Sequence, residues 1–188
     1  MSPRLSATER ERVLQEARPA LVVDSPGLIG GSQADLPLLG EHAMDAVHCV
    51  LRTSGTSGEP RPVPLTYGNF LWSAVGSAFN LGVQPDDRWL CCLPLNHVAG
   101  LSILMRSAIY GTGAVIHDGF DPQRVAASLT EDGVTLISLV ATQLIRLLDD
   151  DVDLSGPRAI VIGGGPVPVD VLREAMARGA TVVQTYGL

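Results

Sequence analysis

From position 46 onward, hydrophobic and polar residues follow two periods that switch repeatedly. Short unbroken aliphatic runs alternate with stretches whose apolar residues recur three and four apart. The runs predict buried strands, and the stretches predict amphipathic helices. Strands are expected at 46–52, 88–93, 113–117, 134–140, 158–162 and 181–184. Helices are expected at 66–81, 99–110, 121 to about 132, 141 to about 148, and 169–177. Local chemistry marks their ends. Thr66 and Asp121 read as N-caps, and Pro122 suits a first helical position. Gly82, Gly111 and Gly179 read as stops. Repeated strand–helix units with aliphatic strands predict an α/β fold: a largely parallel sheet with helices on both faces.

The first 45 residues lack that rhythm. Ser6-Ala7-Thr8-Glu9 forms a capping box and predicts a short helix to about Arg18. Residues 20–23 read as a short strand. Residues 24–45 read as loop, with a turn of helix near 40–44. The expected organisation is a lead-in over 1–45 and an α/β region over 46–188.

Parallel sheets bind ligands beyond the carboxyl ends of their strands. The loops of interest are therefore 53–61, 94–98, 141–143, 163–168 and 185–188. Asp149, Asp150, Asp151 and Asp153 fall on the opposite edge and read as a solvated turn rather than a metal site.

Composition narrows the partners. The formal charge is −7, with 18% charged residues and 46% hydrophobic. An acidic chain repels nucleic-acid backbones at long range. A small phosphate ligand stays within reach, because backbone N–H groups can hold one without net positive charge. Cys49, Cys91 and Cys92 form no C-x-x-C pair. Adjacent Cys91 and Cys92 should face opposite sides of a strand. Reduced, buried thiols suit a cytoplasmic protein. No secretory leader is recognised at the amino terminus, and no apolar run approaches the roughly 20 residues of a membrane span. Arg106 interrupts the best candidate, 98–110.

Thr53-Ser54-Gly55-Thr56-Ser57-Gly58-Glu59-Pro60-Arg61 carries the most telling chemistry. Its glycines let the backbone approach a ligand, successive N–H groups can form an anion nest, and hydroxyls and Arg61 can donate to phosphate oxygens. It is not a Walker A loop, because the required Gly and Lys fall on Pro60 and Arg61. By composition alone, a plain Gly/Ser-rich turn competes evenly with a phosphate cradle. No G-x-S-x-G elbow supports a serine hydrolase.

This segment resembles the signature loop of the adenylate-forming superfamily, which includes acyl–CoA synthetases, luciferases and peptide-synthetase adenylation domains. The resemblance implies that Thr53, Ser54, Gly55, Thr56, Ser57, Gly58 and Arg61 hold the ATP phosphates. The family usually continues Lys-Gly-Val. Here Arg61-Pro62-Val63 keeps the charge, but Pro62 removes a backbone donor. Leu93-Pro94-Leu95-Asn96-His97 resembles the segment whose His lines the acyl pocket. His97 alone would read as a core histidine; the resemblance gives it the pocket role, with a more polar wall at Asn96. Gly163-Gly164-Gly165-Pro166 resembles the adenine-contacting glycine stretch, and Gln184-Thr185-Tyr186-Gly187 the start of the Tyr-Gly-x-Thr-Glu motif.

The run Asp86 to Ser107 narrows the resemblance to the o-succinylbenzoate–CoA ligase subfamily of menaquinone synthesis. The implied reaction is ATP-dependent carboxylate adenylation followed by thioester formation with CoA, with Mg2+ on the nucleotide. Ser102, Arg106 and Thr142 join the acyl-pocket candidates. Arg106 has two readings, a snorkelling or salt-bridged arginine and a contact to a substrate carboxylate. The Thr-Glu magnesium element and the family's catalytic lysine would lie past Leu188, so the chain alone is expected to be catalytically incompetent. An exposed sheet edge would also offer pairing groups to a second copy, leaving a homo-oligomer open.

Overall fold

Five of the aliphatic runs pair into one parallel sheet. The computed structural model describes residues 5–19, 22, 41–53 and 61–186. The chain divides into two compact units, Met1–His42 and Ala43–Leu188. In the first unit, α1 (Ala7–Ala17) starts at the predicted capping box. Ser6 Oγ accepts from the Glu9 N–H at 3.3 Å, and the Ser6 N–H donates to Glu9 Oε2 at 2.9 Å. Arg18 ends it in the left-handed region, at φ 44°. The strand expected at 20–23 and most of the loop at 24–45 lie outside the described residues, and Met44 and Asp45 form a turn.

The second unit opens with β1 (Val47–Arg52) and β2 (Pro62–Thr66), followed by α2 (Tyr67–Leu81). Strand β1 corrects an expectation. It is largely exposed, and it pairs antiparallel with β2 in a two-stranded ribbon instead of joining the parallel sheet. The Thr53 N–H donates to the Arg61 carbonyl at 3.0 Å. By alternation, residues 61, 63 and 65 then direct their backbone groups at β1, while Pro62 and Pro64 aim their missing N–H positions away. A strand rich in proline is thus tolerated. Thr66 caps α2 with Asn69 in a second capping box, and Gly82 ends it at φ 72°.

The remaining elements alternate: β3 (Arg88–Cys91), α3 (Val98–Tyr110), β4 (Gly113–Ile116), α4 (Pro122–Glu131), β5 (Leu136–Val140), α5 (Ala141–Asp149), β6 (Ala159–Gly163), α6 (Val169–Ala177) and β7 (Val182–Gln184). The strands lie in the order β4-β3-β5-β6-β7, all parallel. As the uninterrupted aliphatic runs require, both faces are buried. Leu90, Ile137, Leu139, Ile160 and Ile162 pack with Val125 of α4, Leu144 and Leu147 of α5, and Ala175 of α6. Trp89, Cys91, Leu136, Ala159 and Val161 pack on the other face with Ile103 of α3. Cys91 and Cys92 fall in opposite clusters, as adjacent residues of a strand should. Among the described residues, no helix is long and apolar enough to cross a membrane.

An ion pair ties down the amino ends of the strands. Arg158 donates to both Asp87 oxygens, Nε at 2.8 Å and Nη2 at 2.6 Å, and to the Leu81 carbonyl at 2.6 Å. The Thr135 hydroxyl and the Gln84 N–H complete the shell around Asp87. Burial pushes the Asp87 carboxyl up, but Arg158 and the other donors outweigh it and hold it below its ordinary value.

Candidate functional site

Parallel strands bring their carboxyl ends to one edge, so residues far apart in sequence line up there. At the exit of β3 the chain turns through Leu93 to Asn96, and the His97 N–H donates to the Pro94 carbonyl at 3.1 Å. Gly100 makes this turn close. A Cβ there would sit 2.5 Å from the Pro94 oxygen and 2.7 Å from that of Leu93. His97 then starts α3 in an extended conformation without capping it through its side chain. It is exposed, and Asn96 beside it is half-buried. A solvent-facing imidazole at a strand exit is not a core histidine.

At the exit of β5, α5 begins at once and places Thr142, exposed, in its first turn. The Gln143 side chain turns back to accept from the Val140 N–H at 3.0 Å. At the exit of β6, Gly163 to Pro166 make the turn into α6. Gly164 has φ 81°, a conformation that favours glycine, and a Cβ on it would lie 3.1 Å from Val140 Cγ1. At the exit of β7, Tyr186 is 90% exposed. Through the sheet order, His97, Thr142, the glycine turn and Tyr186 stand in sequence along the edge. Three strand spacings of about 4.8 Å give the row a length of roughly 14 Å, which suits an elongated ligand.

Thr53 and Arg61 face each other across the base of the β1–β2 ribbon. Besides the backbone bond, the Arg61 N–H donates to Thr53 Oγ1 at 3.0 Å. The segment between Thr53 and Arg61 is therefore the connection of an antiparallel ribbon, not a turn from a buried strand into a helix. Ser54, Gly55, Thr56, Ser57 and Gly58 lie outside the described residues, as does Gly187.

Two acyl-pocket candidates stand apart from the edge. Ser102 and Arg106 lie five and nine residues into α3 from His97, about 7 and 13 Å along the axis. They share a four-residue stripe with Tyr110, whose hydroxyl donates to the Ala74 carbonyl of α2. Ser102 is buried. The Arg106 guanidinium carbon lies 5.4 Å from the Trp89 ring centroid, and Nη2 donates to Ser73 Oγ at 3.2 Å. The guanidinium is thus held against an aromatic face and a hydroxyl, and its Nε is buried without a hydrogen-bond partner among the described residues. Burial lowers the Arg106 pKa from its ordinary value, and nearby Tyr110 opposes this.

His117, at the exit of the edge strand β4, was not singled out by sequence. Its Nε2 lies 3.0 Å from Ser128 Oγ, while Nδ1 is buried without a partner among the described residues. Burial and Arg124 lower its pKa, against Asp132, Asp118 and Asp121. No sequence signal distinguishes a histidine ending a strand from any other polar terminator. Among the described residues, no three His, Cys, Asp or Glu side chains cluster as a metal site.

The AMP-binding enzyme family model matches residues 4–188. The 2-succinylbenzoate–CoA ligase of Bacillus pumilus is 35% identical over 206 residues, covering 100% of this chain and 42% of that protein. That of Bacillus subtilis is 44% identical over 146 residues, covering 77% of this chain and 30% of that protein. The chain thus spans less than half the length of these relatives. Among solved structures, o-succinylbenzoate coenzyme A synthetase from Bacillus subtilis in complex with AMP superposes with a TM-score of 0.89 at 35% identity, covering 100% of this chain and 53% of that one. The same enzyme in complex with ATP and magnesium ion gives a TM-score of 0.83 at 36% identity, covering 100% and 38%.

Proposed function

Because the chain belongs to the AMP-binding enzyme family, we propose that it forms the nucleotide- and acyl-binding part of a cytoplasmic ATP-dependent acyl–CoA ligase with o-succinylbenzoate as its carboxylate substrate. The observation that carries this reading is the order of side chains along the carboxyl edge, from His97 through Thr142 and the glycine turn to Tyr186. It matches a ligand with an acyl group at one end and adenine at the other. The substrate assignment is supported by the likeness to the 2-succinylbenzoate–CoA ligases of the two Bacillus species.

In the reaction a carboxylate oxygen attacks the α-phosphorus of ATP, and the bond to pyrophosphate breaks. The CoA sulfur then attacks the acyl carbonyl, AMP leaves, and the thiol proton passes to solvent. A carboxylate is already a nucleophile, so the site mostly positions reactants and offsets phosphate charge. Gly163, Gly164, Gly165, Pro166 and Tyr186 take the adenine, with Gly187 following. His97, Asn96 and Thr142 line the acyl side. Thr53 and Arg61 flank the segment that takes the β- and γ-phosphates. Magnesium suits the phosphate oxygens of the nucleotide and arrives with it; the described residues offer no acidic cluster to hold it independently.

A non-hydrolysable acyl-sulfamate analogue of the o-succinylbenzoyl adenylate tests the reading without turnover. Calorimetry should show it binding this chain at least tenfold more tightly than AMP. The benzoyl analogue, which lacks the second carboxylate, should fall between them. Equal affinity for all three would remove the acyl assignment.

A further inference from the structure

Glycines 163 and 164 are both needed, but for different reasons. Gly164 has a positive φ, whereas Gly163 does not. What Gly163 lacks is room. A Cβ built on it would lie 2.7 Å from Thr185 Oγ1, closer than real Cβ atoms come. Thr185 is held there twice: its N–H and its hydroxyl both donate to the Ile162 carbonyl, at 2.8 and 3.1 Å. One residue thus occupies the acceptor that precedes the glycine turn and roofs the first glycine. The next residue is Tyr186, almost fully exposed.

We propose that Thr185 is a positioning residue that locks the glycine turn after β6 to Tyr186 after β7, fixing the width of the adenine-side cleft before a nucleotide arrives. The inference rests on reading this edge as the nucleotide site. Without the hydroxyl, the exit of β7 hangs on one backbone hydrogen bond, and part of the ordering falls to the ligand. A pre-ordered cleft spares the ligand that cost. The bare face of Gly163 and the Thr185 hydroxyl then act as a pair, so their substitutions should not add.

The test measures binding of AMP, GMP and inorganic pyrophosphate to the full chain, together with ligand-free melting temperatures. Thr185→Val keeps the shape and loses the donor. It should weaken AMP binding roughly three- to tenfold, in line with one hydrogen bond. It should also narrow the preference for AMP over GMP and leave pyrophosphate binding unchanged. Thr185→Ser should behave as the parent. Gly163→Ala should weaken AMP binding and lower the melting temperature in the parent, and should do much less of both in a Thr185→Ala background. A Thr185→Val protein that binds and selects AMP like the parent overturns the proposal. So does a Gly163→Ala penalty that is the same in both backgrounds. If the parent has no preference for adenine while the Gly163–Thr185 coupling persists in the melting temperatures, the nucleotide reading has failed, and with it the role given to Thr185, although the contact stands.

Discussion

Arg106 is a half-buried cation held against an aromatic face and a hydroxyl, with Nε unpartnered among the described residues. Removing such an ion from water costs several kcal/mol, against about 2 kcal/mol from a desolvated cation–π contact and a similar return from the hydrogen bond. These nearly cancel. Arg106→Met, which keeps the stem, should therefore stay within about 1 kcal/mol of the parent in urea unfolding. It should also preserve the preference for an o-succinylbenzoyl over a benzoyl adenylate analogue. Loss of that preference at unchanged stability would restore Arg106 as the reader of the substrate carboxylate. His97 should behave in the opposite way, because it is exposed at the edge. His97→Ala should weaken the acyl-adenylate analogue about tenfold and leave AMP binding alone, as isothermal titration would show. His117 concerns pH. Its folded pKa lies below the ordinary histidine value of about 6.5. The unfolded chain therefore binds more protons near that value, and the His117 contribution is present above pH 6.5 and lost as the pH falls below it. The melting temperature should drop between pH 7 and 5 by less in His117→Gln than in the parent.

The elements show which signals the sequence carries locally. Helices α2 and α4 begin where their caps predict, because Thr66 bonds the Asn69 N–H and Asp121 bonds that of Arg124, each within a single turn. Strand β2 was not legible. The hydrophobic pattern assigns no element to residues 62–65, and what makes them a strand is pairing with β1 across the intervening connection. The strand at 134–140 was read too long at its start. Thr135 donates its hydroxyl to Asp87, while its carbonyl accepts from the Arg158 main-chain N–H, so it stands at the mouth of the sheet, whose strand begins at Leu136. The Asp87–Arg158 ion pair joins the end of α2 to the amino ends of β3, β5 and β6. The Asp87 side chain is 5% exposed and that of Arg158 23%. Asp87→Ala leaves a guanidinium without its carboxylate in a largely dry site and should cost about 3–5 kcal/mol in denaturant unfolding. The double variant Asp87→Ala/Arg158→Met should recover much of that loss, since the stranded charge is gone.

For the molecule as a whole, the alternation of strand and helix made the sheet and its two covered faces legible, and the carboxyl edge followed from parallel pairing. The lateral order of the strands did not follow. β3 lies between β4 and β5, and only that placement sets His97 beside Thr142 and away from the glycine turn and Tyr186. Sequence order would have ranked β4, and hence His117, between them. The roles within the glycine stretch were also hidden, since Gly163 answers to a residue more than twenty positions later. The arrangement makes one prediction about the whole chain. In the ligand-free protein, amides of β5 and β6 should exchange slowest, because Ile137, Leu139, Ile160 and Ile162 are buried at the sheet's centre; the exposed β1–β2 ribbon should exchange faster. Saturating AMP should then add protection at 163–165 and 185–186, where β6 and β7 end. At the amino edge around Thr135 and Arg158 the gain should not exceed the global stabilisation that any ligand of the folded state confers. A gain beyond that increment at the strand exits marks the seat of the nucleotide, because binding there also closes local openings. A gain equal at both edges, with no excess at 163–165 and 185–186, would remove the nucleotide from the site described.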